Sequence, residues 1–147
     1  MSQGTKKKER YTSNNSVHLL QSGERFFSAL ELLIREAKEE IHFQTYILAD
    51  DETGQRIANA LMEAARHRNV KVYLLVDAYG SQQLSTAFIR ELEDSGIEFR
   101  KYGQFYSHGN LHIGRRLHRK VVVADGHVSI VGGINISNNY NDRPGFK

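Results

Sequence analysis

Leu117-His118-Arg119-Lys120-Val121-Val122-Val123-Ala124-Asp125-Gly126-His127-Val128-Ser129-Ile130-Val131-Gly132-Gly133-Ile134-Asn135 reads as an apolar strand, an Asp-Gly turn, a second apolar strand, two glycines and an amide. Asp-Gly between two β-branched runs predicts a hairpin, because that dipeptide tolerates positive φ at both central turn positions. Alternate residues of a strand share a face, so His118 and Lys120 are expected to point one way and Leu117, Val121 and Val123 the other. A histidine and a lysine side by side in a run of Val and Leu need a chemical reason. The returning strand ends at Gly132-Gly133, where a ligand or another backbone could come close, and Asn135 adds a neutral amide donor. A nucleophile or base, a fixed cation and a neutral donor suit a phosphate site.

Outward from this stretch, the 147 residues suffice for one domain with its own core and contain no cysteine. That excludes disulfides and thiolate metal sites, and nothing argues for an oxidising compartment. No apolar run approaches the roughly 20 residues of a membrane-spanning helix, and no signal-peptide core is visible. The net charge of +3 is unevenly placed. Lys6, Lys7, Lys8 and Arg10 against Glu9 make residues 1–15 a basic tail, expected to be disordered and able to touch an anionic lipid surface. From Arg100 to Ala124 there are six Lys or Arg residues and no acid, a positive region that suits an anionic substrate.

From Ser16 onward the pattern is α/β. Ser16 to Leu20 reads as a short strand broken at Gly23. Phe26, Phe27, Leu30, Leu33, Ile34, Ala37 and Ile41 then follow helical spacing, as core rather than as a cofactor box. Residues 41–48 read as a strand. Asp50, Asp51 and Thr53 next to Glu52 suit a helix N-cap better than a divalent metal site, and that helix is expected to run to about Arg68. Val70 to Asp77 is apolar enough to predict a strand covered on both faces. Asp77 sits at its C-terminal end, where open α/β sheets place ligands, and is expected to be a loop-fixing acceptor rather than a catalyst. Leu84, Phe88 and Leu92 mark a third helix ending near Gly96, and Ile97 to Tyr102 a further strand. Residues 103–116 are expected to be a loop. His108, His112 and His118 lack the carboxylate or cysteine that would complete a zinc-like set, so no metal is expected. Arg115 and Arg116, just before His118, are surface charges or phosphate contacts.

The pattern H-x-K-x4-D-x6-G-G-x-N, carried by His118, Lys120, Asp125, Gly132, Gly133 and Asn135, resembles the HKD motif of the phospholipase D superfamily. The segments FQTYILADDETG, VYLLVDAYGS and GRRLHRKVVVADGHVSIVGGINISNNY are similar to the N-terminal half of bacterial cardiolipin synthases. The resemblance implies an α/β/α sandwich with a largely parallel or mixed central sheet, here a half domain over residues 16–147. In that family two HKD motifs meet, from two halves of one chain or from two subunits. One histidine forms a phosphohistidine, the other protonates the leaving alkoxide, and most members need no cofactor or metal. His118, Lys120 and Asp125 would be the catalytic set, with Asp125 bracing the hairpin more than touching substrate. Asn135, Gly133, Arg115 and Arg116 would contact substrate phosphate. A phosphatidylglycerol-like lipid is the implied substrate, at an anionic membrane surface, in a bacterial protein cytoplasmic or peripheral to the inner membrane. One motif where the site needs two implies either a C-terminally truncated piece of a longer protein or a homodimer. The alternatives are a dimeric phosphodiesterase or nuclease, for which stacking aromatics among the basic residues are missing, and a half-domain active only with a partner.

Overall fold

The computed structural model describes residues 13–103, 106–107, 110–111 and 116–142. The basic residues 6–10, His108, His112 and Arg115 lie outside them. Among these residues, three helices and seven strands follow in the order α1 (Gly23–Glu36), β1 (Glu40–Thr45), α2 (Glu52–Arg68), β2 (Lys71–Asp77), α3 (Thr86–Asp94), β3 (Glu98–Tyr102), β4 (Tyr106–Ser107), β5 (Asn110–Leu111), β6 (Lys120–Ala124) and β7 (Val128–Gly132). A single 3₁₀ turn covers Asn138–Tyr140.

The main sheet has the order β3-β2-β1-β6-β7. β1, β2 and β3 are parallel, joined by crossovers through α2 and α3, whereas β6 and β7 add an antiparallel hairpin beside β1. The expected mixed α/β class is therefore observed. The hairpin turns through Asp125 (φ 51°) and Gly126 (φ 72°), with the His127 N–H donated to the Ala124 carbonyl at 3.1 Å. Both central residues have positive φ, as the Asp-Gly signal requires.

One face of the sheet meets the helices. Ile41 and Phe43 of β1, Val72, Leu74 and Val76 of β2, and Val122 and Ala124 of β6 are buried in one cluster with Phe27, Leu30, Ile57, Leu61, Phe88 and Leu92 from all three helices. Alternate residues turn to the other face, where His42 is exposed and Gln44, Tyr73, Leu75, Val121 and Val123 are half-buried. The His42 and Tyr73 rings stack there at 4.6 Å. Among the described residues the helices cover one face only. The expectation that β2 is covered on both faces therefore fails here, and the second helical layer of a sandwich is not formed by these residues. The apolar look of β2 arises because Tyr73 and Leu75 occupy its open face.

Helix ends follow the capping rules. Ser22 caps α1, accepting the Arg25 N–H at 3.2 Å, and Asp51 caps α2, accepting the Gly54 N–H at 2.9 Å. The capping reading of the 50–53 acids is thus the observed one. α1 stops at Glu36, five residues before the end of its apolar spacing, and Ile41 belongs to β1. The Arg68 guanidinium covers the exposed end of α1, donating to the Ile34, Arg35 and Ala37 carbonyls at 2.7–3.0 Å. Gly23 lies under the C-terminal segment, where a Cβ would come within 2.0 Å of the Tyr140 carbonyl oxygen.

Two expectations are corrected. Residues 16–20 form no strand: Val17 and Leu19 are 92% and 78% exposed and no neighbouring strand pairs with them. Within 103–116, Tyr106–Ser107 and Asn110–Leu111 pair as a short antiparallel ladder.

Candidate active site

The candidate site lies at the C-terminal ends of the parallel strands, where open α/β sheets gather ligands. β6 runs antiparallel to β1, with Gln44 paired to Val121, so the start of β6 meets the end of β1. Lys120 opens β6 directly across from Gly132 of β7. Tyr46 follows β1, and Asp77 ends β2.

Lys120 shares the core-facing side of β6 with Val122 and Ala124 and is 6% exposed. Its Nζ donates to the His118 backbone carbonyl at 3.2 Å and lies 5.1 Å from the centre of the Tyr46 ring. Burial lowers its pKa below the ordinary lysine value, since a charged ammonium loses hydration there. His118 precedes the strand and is exposed, its ring 5.2 Å from that of Tyr46. Histidine, lysine and tyrosine therefore share one corner of the sheet.

Asp77, fully buried, sets where this corner begins. Its Oδ2 accepts the Leu117 N–H at 2.8 Å, and its Oδ1 accepts the Tyr79 and Gly80 N–H groups at 2.9 and 3.0 Å. The expectation of a loop-fixing acceptor is what the structure shows. Arg116 is docked beside it, 4.0 Å from Asp77 Oδ1 and stacked 4.9 Å over the Tyr79 ring. Arg116 is thus held by the scaffold next to the site.

Asn135 is buried, and its Oδ1 accepts the Ile47 N–H at 3.2 Å. That bond commits the amide oxygen to the backbone after β1. The neighbouring backbone is knitted by Ile136 N–H to the Ile47 carbonyl at 3.0 Å and Ala49 N–H to the Ile136 carbonyl at 2.9 Å. A Cβ at Gly132 or Gly133 would meet nothing within 4 Å. Among the described residues, then, nothing lies close in the direction a side chain at either glycine would take.

Asp125, grouped with His118 and Lys120 in the sequence reading, lies at the opposite end of β6. Its carboxylate accepts the N–H groups of Lys38, Glu39 and Glu40 at 2.9, 2.8 and 3.0 Å. Those backbone donors at Glu39, Glu40 and Lys38 hold its pKa below the usual carboxylate value, outweighing burial, with a smaller contribution from His127. A carboxylate committed to three donors at the far end of a strand cannot touch a phosphate beside His118. These bonds brace the hairpin turn against the start of β1, in keeping with the role the resemblance implied for Asp125. Sequence reasoning did not single out Tyr46, which fell inside the expected strand 41–48; the structure ends β1 at Thr45 and leaves Tyr46 just beyond it.

Histidine, a buried lysine and an amide thus lie at the strand ends of one α/β sheet. Comparison with known proteins shows the family. Residues 30–144 match the family described as cardiolipin synthase, PLD-like domain, and the chain belongs to that family, within the phospholipase D superfamily. It is 41% identical over 129 residues to cardiolipin synthase B of Salmonella typhimurium, covering 86% of this chain and 31% of that one. It is 40% identical over 126 residues to a cardiolipin synthase of Geobacillus kaustophilus, covering 83% and 24%. The chain thus spans about a third or less of the curated relatives it matches. In fold it resembles phosphatidylserine synthase of Haemophilus influenzae (TM-score 0.64, 23% identity, 82% of this chain and 28% of that one). It also resembles Nuc, a phospholipase D family member from Salmonella typhimurium (TM-score 0.59, 23% identity, 79% and 68%). No helix among the described residues is long and apolar enough to cross a membrane.

Proposed function

We propose that this chain supplies one half of a phosphatidyltransferase site of cardiolipin synthase-like kind, which moves a phosphatidyl group between alcohols. The observation that carries the reading is the Lys120 ammonium buried beside His118; the 41% identity to a cardiolipin synthase supports the lipid substrate. An imidazole nitrogen of His118 attacks phosphorus, an N–P bond forms, and the bond to the leaving alcohol's oxygen breaks. The acceptor alcohol then attacks phosphorus and gives its proton to the group that protonated the leaving alkoxide, the N–P bond breaks, and His118 is regenerated. Lys120 and the Asn135 NH2 hold the non-bridging oxygens as charge develops on them. As the resemblance implies, the proton for the leaving alkoxide comes from the histidine of a second motif, in a further part of a longer chain or in a second copy. A phosphatidylglycerol-like donor at an anionic membrane surface fits this chemistry. Arg116, docked beside Asp77, is placed to draw its headgroup in, and we assign Arg115 the same role from its place in the sequence.

The test is to mix the chain with phosphatidylglycerol vesicles, quench, and read intact mass and lipid products, with H118A and K120M alongside. A phosphatidyl adduct lost in H118A, with cardiolipin as product, supports the reading. Phosphatidic acid without cardiolipin replaces transfer by hydrolysis. A monomer without adduct assigns the chain to half a site. A dimer without adduct that cleaves single-stranded DNA overturns the lipid reading in favour of a nuclease.

A further inference from the structure

Tyr46 touches both reactive groups and is itself firmly held. Its ring lies 5.2 Å from the His118 ring, tilted by 46°, and 5.1 Å from Lys120 Nζ. Behind it, its carbonyl accepts the Ser81 hydroxyl at 3.2 Å, while the Ser81 oxygen accepts the Leu48 N–H at 2.9 Å. Gly80 presses close: a Cβ there would stand 2.3 Å from the Tyr46 carbonyl oxygen and 3.1 Å from ring atom Cδ2. Gly80 is fixed in turn by Asp77, the carboxylate that also holds Leu117, the residue before His118. One buried acid thereby governs the support of the ring and the approach of the histidine.

An aromatic face attracts a cation within about 6 Å of its centre, more strongly where water is excluded. Lys120, buried and short of hydration, gains such a partner from Tyr46, and the imidazole leaning on the same ring loses rotational freedom. We propose that Tyr46 is a positioning residue that holds the His118 imidazole and the Lys120 ammonium against one aromatic ring, presenting both together to a phosphoryl group. The presentation to phosphoryl rests on the function proposed above; the grip on the two side chains does not. The aromatic ring carries the role, so phenylalanine should serve and an aliphatic residue should not.

The test uses the whole chain, with Y46F, Y46L and G80A. Imidazole ¹H–¹⁵N spectra report the His118 ring, and titration with inorganic phosphate reports anion binding. The His118 ring signals should stay in place in Y46F and move in Y46L. Phosphate affinity should change less than about twofold in Y46F and fall about tenfold in Y46L. If Y46L fails to fold, G80A, whose methyl group would displace the Tyr46 backbone carbonyl and crowd its ring at Cδ2, should displace the same imidazole signals. Unmoved His118 signals in Y46L or G80A overturn the positioning role, as does an affinity loss in Y46F equal to that in Y46L. If the unaltered chain shows no phosphate response, the phosphoryl reading falls. Displaced His118 signals in Y46L alone would then support the positioning role.

Discussion

The Asp77 carboxylate and the Leu117 backbone N–H, 40 residues apart in sequence, meet at 2.8 Å and tie the end of β2 to the segment that delivers His118. Asp77 is fully buried, and its two oxygens serve three backbone donors. Replacing it by alanine leaves those donors without their acceptor. D77A is expected to lose on the order of 2–3 kcal/mol in chemical denaturation. D77N, which keeps one acceptor oxygen, should lose less. A D77A midpoint equal to wild type would contradict this reading.

Acid should release the hairpin at the other end. The Asp125 carboxyl has a folded-state pKa depressed by three N–H donors. Its contribution is therefore fully present above the unfolded carboxylate pKa of about 4 and is lost as pH falls through the lower folded value. D125A should cost about 1–2 kcal/mol at neutral pH, its donors being open to water. It should also flatten the stability-versus-pH curve below about pH 4. An unchanged acid limb would show that the three contacts do not discriminate the charged form.

Two glycines should respond oppositely to alanine. At Gly54, on the first turn of α2, a Cβ would stand 1.8 Å from the Ala49 carbonyl oxygen, so G54A is expected to destabilise by about 2 kcal/mol or more. At Gly133 a Cβ meets nothing within 4 Å, and G133A should leave the melting temperature unchanged or slightly higher. Any loss of phosphate binding in G133A then reports on the ligand's space.

Lys120 sets an alkaline limit. Burial lowers its pKa, so its positive charge is lost at a pH below that of an ordinary lysine. Phosphate affinity should decline on the alkaline side before the usual lysine range, a limb absent in K120M. In the linkage sense, a cation with a depressed folded pKa destabilises the fold where it is charged. That cost disappears as pH rises through the folded value. A phosphate titration flat to pH 10.5 would refute the assignment.

Much of this architecture is readable locally. The Asp-Gly turn, the Asp51 cap, the end of α2 at Arg68 and the strands 71–77 and 98–102 follow from neighbours within a few residues. Position in space was harder. Asp125 lies 85–87 residues from its partners, so its spacing in the motif could not show that it faces away from His118. Tyr46 gains meaning only when β1 and β6 lie side by side. Val17 and Leu19 alternate like a strand, yet strand propensity without a pairing edge gives no strand. The even apolarity of β2 concealed which of its faces the helices cover.

The motif's interval of four residues between Lys120 and Asp125 equals the body of β6, and it therefore works as a ruler. One end is clamped by the N–H groups ahead of β1, and the other measures out where the ammonium stands. Inserting a single residue would swing Lys120 from the core-facing side to the open face. Inserting two would restore the side but carry the charge roughly 6–7 Å past Tyr46. The interval is thus dictated by the pleat of a strand rather than by contact between the two side chains.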